Sequence, residues 1–256
     1  MRQRVDIFRV ALRRKILMAL PFVKKTVILS RTACLGRELI DLKYGTKNVF
    51  IWNQQKTRVD VFMDWIFGQP RPKWKVVRPF IKREDLLPFM KQQEHLPWLH
   101  LQKKPDLIVM DSLSELLDQK FTHKKEDWSF CAYHSDVDKD ASFVQTFDNN
   151  GLLKLEEFEK AYETFFEWLT KTYPNTDIIF IHYPTAWVSA KEREFEILRV
   201  LKSLEKTYPI YNICLPESKV EWDNDNKFLY HFTENTKKSF VKEWQKVEKM
   251  EQRVVL

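Results

Sequence analysis

Glycine and cysteine are both scarce: four glycines and three cysteines in 256 residues. Four glycines leave no glycine-rich loop to cradle a phosphate and argue against repeated β architectures. Cys34, Cys131 and Cys214 are odd in number and far apart. They form neither a disulfide framework nor a zinc spacing, and free, buried thiols in a reducing cytoplasm are expected. Long apolar runs are missing too. Residues 16–23 make a short one, well below the roughly 20 residues that cross a bilayer. No small-residue cleavage site follows it, so a signal peptide is not expected. There is no internal repeat and no low-complexity tract.

What is present is aromatic and charged. Nineteen Phe and nine Trp offer ample apolar surface for a large core. The formal net charge is +7, but Lys and Arg alternate with acids along the chain. Such interleaving reads as a solvated mixed surface, and no nucleic-acid partner is expected. Residues 1–25 form a basic N-terminal segment, with Arg2, Arg4, Arg9, Arg13, Arg14 and Lys15 beside Ile7, Phe8, Val10, Leu12 and Ile16. It is expected to be a terminal helix docked on the domain; the alternative is a helix lying on an anionic membrane surface. The expected location is cytoplasmic, either free or peripheral to the inner membrane.

Five apolar runs read as strands: residues 26–30, 48–52, 106–111, 176–182 and 210–215. They are continuous rather than alternating, as in parallel strands covered on both faces. Between and after them lie helical stripes: residues 36–44; Leu152, Leu155, Phe158, Tyr162, Phe165, Phe166 and Leu169; Phe195, Leu198, Leu201 and Leu204; and Phe240, Trp244 and Val247, with Thr233 as the N-cap. Alternating strands and helices predict right-handed βαβ units. The expectation is a three-layer α/β sandwich with a mainly parallel five-stranded sheet in flavodoxin-like order 2-1-3-4-5. It occupies 26–256 as a single domain. Proline-rich residues 67–105, with short helices near 83–93, and residues 120–147 are expected as irregular excursions.

In such sheets ligands bind beyond the carboxyl ends of the strands, where strand order reverses. The ends there carry Ser30, Arg31 and Thr32; Asn53; Asp111 and Ser112; and His182. Ser30 or Thr32 could supply a nucleophilic hydroxyl or cap the following helix. Cys34, in the first turn of that helix, is a rival nucleophile. Arg31 suits a carboxylate or phosphate. Asp111, Ser112, Asn53 and His182 are candidates for contacting substrate. Residues 146–157 match part of a calcium-binding loop through Asp148, Asn150, Gly151 and Glu157. Thr146 stands at the first ligand position, so no metal or other cofactor is expected.

Two blocks carry a family resemblance. The strand-to-helix junction around Ser30-Arg31-Thr32 and the block Tyr230-His231-Phe232-Thr233-Glu234-Asn235 before the last helix resemble the first and last blocks of SGNH/GDSL hydrolases. The Gly-Asp-Ser triplet is replaced, Phe228 stands where the family has its aspartate, and the oxyanion asparagine after the third strand is absent. The chain also resembles a divergent SGNH-like group associated with bacterial surface-polysaccharide genes. The resemblance implies ester hydrolysis or acyl transfer on carbohydrate, with His231 as base, Thr32 or Ser30 as nucleophile and Asp225 as a nearby acid. The alternative is an inactive SGNH-like protein that binds a glycan or a partner enzyme.

Overall fold

The computed structural model describes residues 25–101, 103–186, 188–223 and 231–254. Residues 1–24 of the basic N-terminal segment and Asp225 lie outside the described residues.

The five strands are β1 (Thr26–Arg31), β2 (Val49–Asn53), β3 (Leu107–Asp111), β7 (Ile178–Ile181) and β8 (Ile210–Ile213). They form one sheet in the order β2-β1-β3-β7-β8. Every neighbouring pair is parallel, so the expected order and direction both hold. Strand order reverses between β1 and β3, which puts the carboxyl ends of β1, β2 and β3 around one crevice.

The covering helices that the sequence marked follow their predicted stripes, with one exception, and a helix at Val59–Ile66 joins them unannounced. Helix α1 (Cys34–Tyr44) buries Leu35, Gly36, Leu39 and Ile40. Helix α2 (Val59–Ile66) follows β2, and α3 (Leu113–Leu117) follows β3. The α5 helix (Phe158–Thr172) buries Phe158, Tyr162, Phe165, Phe166 and Leu169. In α6 (Val188–Leu204) the buried face carries Ile197, Val200, Leu201 and Leu204, while Phe195 is 67% exposed. Leu201 and Leu204 thus follow the expected stripe, while at its start Arg193 and Ile197 take the core-facing positions in place of Phe195. The final helix, α7 (Glu234–Val254), buries Phe240 and Trp244. Thr233 caps it, its Oγ1 accepting from Thr236 N at 3.3 Å.

Residues 120–147 are not irregular. They contribute to a second sheet, antiparallel and ordered β5-β4-β6, built from β4 (Asp118–His123), β5 (Ser129–Tyr133) and β6 (Phe147–Gly151). The α4 helix (Ala141–Thr146) leads into β6. A separate apolar cluster lies beneath this sheet, with Phe121, Trp128, Phe130, Phe143 and Phe147 joined by Val77, Ile81, Leu86 and Met90 from the proline-rich excursion. Two stretches that look irregular alone therefore bury each other.

At Gly36 the absence of a side chain is required by close approach. A Cβ there would lie 2.6 Å from Thr32 Cβ and Cγ2 and 3.0 Å from Asp111 Oδ2. Gly→Ala in an open helix interior stabilises by up to about 1 kcal/mol. Here we predict the opposite sign, a loss of about 1–3 kcal/mol from overpacking. Urea unfolding of Gly36→Ala checks it.

Candidate functional site

The exit of β1 is tied down by Asn53, its partner across the β1–β2 ladder. Asn53 Oδ1 accepts from Ser30 Oγ at 2.8 Å and from Thr32 N at 3.1 Å, and its Nδ2 donates to Thr32 O at 3.1 Å. Ser30 is fully buried and Thr32 is 2% exposed. Both hydroxyl candidates thus lie inside this brace.

Arg31 is also turned inward. Its Nη1 donates to Glu115 Oε1 at 2.6 Å and to Thr57 O at 2.7 Å, and its Nη2 to Glu115 Oε2 at 3.2 Å. Glu115 has no exposed surface, and its Oε1 also accepts from Val59 N at 2.8 Å. Burial opposes the guanidinium charge, and Glu115, with Tyr162 and Asp111, more than restores it. The fork is matched to an internal carboxylate rather than offered to a ligand.

Asp111 closes β3 at 2% exposure. Its Oδ2 accepts from Ala33 N at 2.7 Å and its Oδ1 from Leu113 N at 3.2 Å. Burial pushes its carboxyl up to about 7, against the pull of these two amides and Arg31. Ser112 Oγ accepts from Tyr183 N at 2.9 Å. His182 shares a 2.8 Å hydrogen bond between Nε2 and Asn212 Oδ1, and burial holds its ring down to about 4. Ser112 and His182 are 2% and 3% exposed, and both brace the β3–β7–β8 end of the sheet.

A cavity of about 620 Å³ opens at the reversal point. His231 lines it, together with Ala33, Cys34 and Arg37 of the α1 start, Lys56 of the loop after β2, and Asp118, Tyr133 and Asp136 of the antiparallel unit. Of the expected site residues, the structure brings His231 to this cavity. Ser30, Arg31, Thr32, Asn53, Asp111, Ser112 and His182 are not in its lining. Cys34 is exposed rather than buried, as is Cys214; only Cys131 fits the expectation of a buried thiol. Although Cys34 keeps an exposed face, desolvation by the surrounding protein, then Glu38 and Asp111, push its thiol above its ordinary value.

The cavity's charged floor was not foreseen. Lys56 Nζ lies 3.2 Å from Asp136 Oδ2 and 3.5 Å from Asp118 Oδ1, and both aspartates are nearly fully buried. Burial pushes Asp118 up, and Lys56 opposes it. Lys56 has a left-handed backbone, φ 52°, held from beneath: Gln93 Nε2 donates to Lys56 O at 2.7 Å and Cys131 Sγ to the same oxygen at 3.4 Å. Nothing in the local sequence Gln54-Gln55-Lys56-Thr57 marks this turn. Asp136 comes from the stretch read as irregular, and Asp118 lies just before it.

No protein-family model matches the chain, and no curated protein matches it in sequence. Among solved structures it is similar to an active-site mutant of a family two carbohydrate esterase from Clostridium thermocellum, with 10% identity, 91% of this chain and 65% of that chain covered, and a TM-score of 0.47. It is also similar to an acetyl xylan esterase from the rumen bacterium Butyrivibrio proteoclasticus, with 12% identity, coverage of 92% and 65%, and a TM-score of 0.44. The chain spans just under two thirds of the length of these proteins. Likenesses this remote carry no inference about chemistry.

Two predictions follow from the buried charges. Glu115→Gln leaves Arg31 buried without its counter-charge and should cost about 3–5 kcal/mol. The double variant Arg31→Met/Glu115→Leu should recover part of that, but not all, because Val59 N loses its acceptor. Urea titrations of the three proteins measure both effects. Asp111 and His182 should give opposite pH dependences. The folded carboxyl stays protonated up to about 7 against an ordinary 3.8. Its contribution is therefore full below 3.8 and lost as pH rises through 7. The folded imidazole stays neutral down to about 4 against an ordinary 6.5. Its contribution is full above 6.5 and lost as pH falls through 4. In Asp111→Asn, stability measured across this range should therefore rise with pH more steeply than in the native chain.

Proposed function

We propose that the chain holds a hydroxyl-rich ligand of carbohydrate class in the cavity at the carboxyl edge of the parallel sheet, and that it keeps an SGNH-like strand order without a working hydroxyl nucleophile. The observation that carries this reading is the double commitment of the β1 exit. The Ser30 and Thr32 side chains and the Thr32 amide face Asn53, and the Ala33 amide is taken by Asp111. An acyl-transfer site needs such a hydroxyl free to attack and such amides free to receive the oxyanion. The cavity instead offers paired acids and bases able to accept and donate to sugar hydroxyls, with the half-buried rings of Phe89 and Tyr133 as apolar walls. Surface-polysaccharide assembly in a bacterium, the setting implied by the family resemblance, belongs to the same proposal.

A second reading rests on the shared position of Cys34 and His231 in this cavity. His231 would take the thiol proton, the sulfur would attack an ester carbonyl, and the sugar hydroxyl would leave with that proton. Water or a second hydroxyl would then release the acyl group. Asp225 could orient the imidazole in this scheme.

Calorimetric titration with neutral and acetylated oligosaccharides, run beside turnover of p-nitrophenyl acetate and the same acetylated glycans, tests both. Binding is expected without turnover above blank, and Tyr133→Ala should weaken it about tenfold, roughly 1.4 kcal/mol. Turnover that disappears in Cys34→Ala and in His231→Ala would establish the second reading instead. Turnover that depends on the Ser30 or Thr32 hydroxyl, or no binding of any glycan, would overturn the first.

A further inference from the structure

A second polar cavity lies away from the carboxyl edge, on the outer face of the three-stranded sheet. It measures about 340 Å³, within the range of small-molecule sites, about 300–1,000 Å³. Helix α2 forms one wall with Asp64 and Trp65, and the sheet forms the other with Lys120, Thr122, Ser129 and Asn150.

The sheet explains why these groups converge. Phe121 and Phe130 point into the apolar cluster beneath, so their strand neighbours Lys120, Thr122 and Ser129 take the outer face. Thr122 and Ser129 are directly paired across β4 and β5, and their hydroxyls share a 2.9 Å hydrogen bond. On the other side the β4–β6 register shifts between Lys120 and Phe121. The shift leaves Asn150 without a partner in the ladder, and bulges of this kind re-aim a side chain. Thr122 Oγ1 donates to Asn150 Oδ1 at 2.6 Å, so the amide stands on the same outer face. Lys120 Nζ meets Asp64 Oδ2 at 2.7 Å, which balances those two charges inside the cavity.

An independent observation comes from the other wall. Trp65 is 5% exposed, and its indole Nε1 has no hydrogen-bond acceptor among the described residues. A buried donor without a partner is rare and costly. The atom itself exposes less than 1 Å², so an acceptor entering this cavity meets it only after a small movement of the indole.

We propose that this cavity is a second binding site for a neutral, polyhydroxylated ligand of one or two sugar rings. With Asp127 also in the lining, carboxylates outnumber the ammonium two to one, which disfavours a phosphate or a carboxylate. The alternation of hydroxyl, amide, ammonium and carboxylate groups suits a ligand that donates and accepts at successive positions. The site shares no residue with the cavity that contains His231, so it stands whether or not that cavity binds glycan.

The test follows the tryptophan indole N–H signals of the ¹⁵N-labelled full chain while glucose, galactose, xylose, N-acetylglucosamine and their β-linked disaccharides are added at millimolar concentration. Trp65→Phe assigns the Trp65 resonance. At least one sugar should shift that resonance saturably, and the shift should be lost in Thr122→Val and in Asn150→Ala. Both changes are on the surface of the sheet and should leave the remaining indole signals in place. Tyr133→Ala, at the other cavity, should leave the Trp65 shift intact. No movement of the Trp65 signal with any of these sugars would overturn the proposal. So would an undiminished shift in Thr122→Val and Asn150→Ala, or an equal shift with inorganic phosphate alone.

Discussion

The buried pair between Arg31 and Glu115 is the joint on which the arrangement of the sheet's carboxyl edge depends. It ties the last residue of β1 to the helix that follows β3, and it reaches the chain after β2 through Thr57 O and Val59 N. Arg193 of α6 donates to the Glu115 backbone oxygen at 2.8 Å and to Leu153 O at 2.7 Å. Three strand exits and one covering helix thus meet at two side chains. Two ions can be taken from water here because nearly every polar valence is filled; the Arg31 Nε is the exception. A hydrophobic pair of the same volume would pack as well but would leave the Val59 amide and the Thr57 carbonyl unanswered.

That joint decides what the reversal point can do. With Arg31 drawn beneath the sheet edge, the β1 exit turns so that Thr32 packs on Gly36 and Ala33 presents its amide to Asp111. A carboxylate oxygen is held there in the place where an acyl-transfer site would receive an oxyanion. The same turn sends Cys34 outward, to the rim shared with His231. The junction is a strand–turn–helix whose Thr32 and Ala33 amide donors are already satisfied by the protein's own groups.

The parallel sheet was legible in the sequence because its signal is local. Each of the five strands is a continuous apolar run, and each run became a strand within a residue or two of the expected bounds. The antiparallel sheet was not legible. Lys120, Thr122, Ser129 and Asn150 face outward from short strands whose inward positions are few, and β6 reads Phe-Asp-Asn-Asn-Gly, a turn composition. Those strands exist because Phe121, Phe130 and Phe147 find partners in the proline-rich excursion, a long-range fact that no window contains. For the site, the expected polar residues do sit at strand ends, but sequence does not say which way they point. Ser30, Arg31, Thr32 and Asp111 turned inward, and the residues facing the cavity came largely from loops and from the unforeseen sheet.

Lys56 shows how those two halves are joined. A non-glycine residue at φ 52° carries a local backbone cost, of order 1 kcal/mol or more. It persists because Gln93, itself fully buried, grips the turn on one side and strand β5 on the other: its amide nitrogen donates to Lys56 O and Cys131 O, and its amide oxygen accepts from Cys131 N. The result aims one ammonium group between Asp118 and Asp136, which belong to the antiparallel unit. Without it, two nearly buried carboxyls would stand in one cavity with Arg83, 3.8 Å from Asp136, as the only other cation paired with either among the described residues. The strained turn therefore does two things at once: it fastens the small sheet to the large one, and it leaves a neutralised but hydrogen-bonding floor beneath His231. A floor of that kind suits hydroxyl groups better than it suits an ion, because a ligand charge of either sign would meet its like within the same few ångströms.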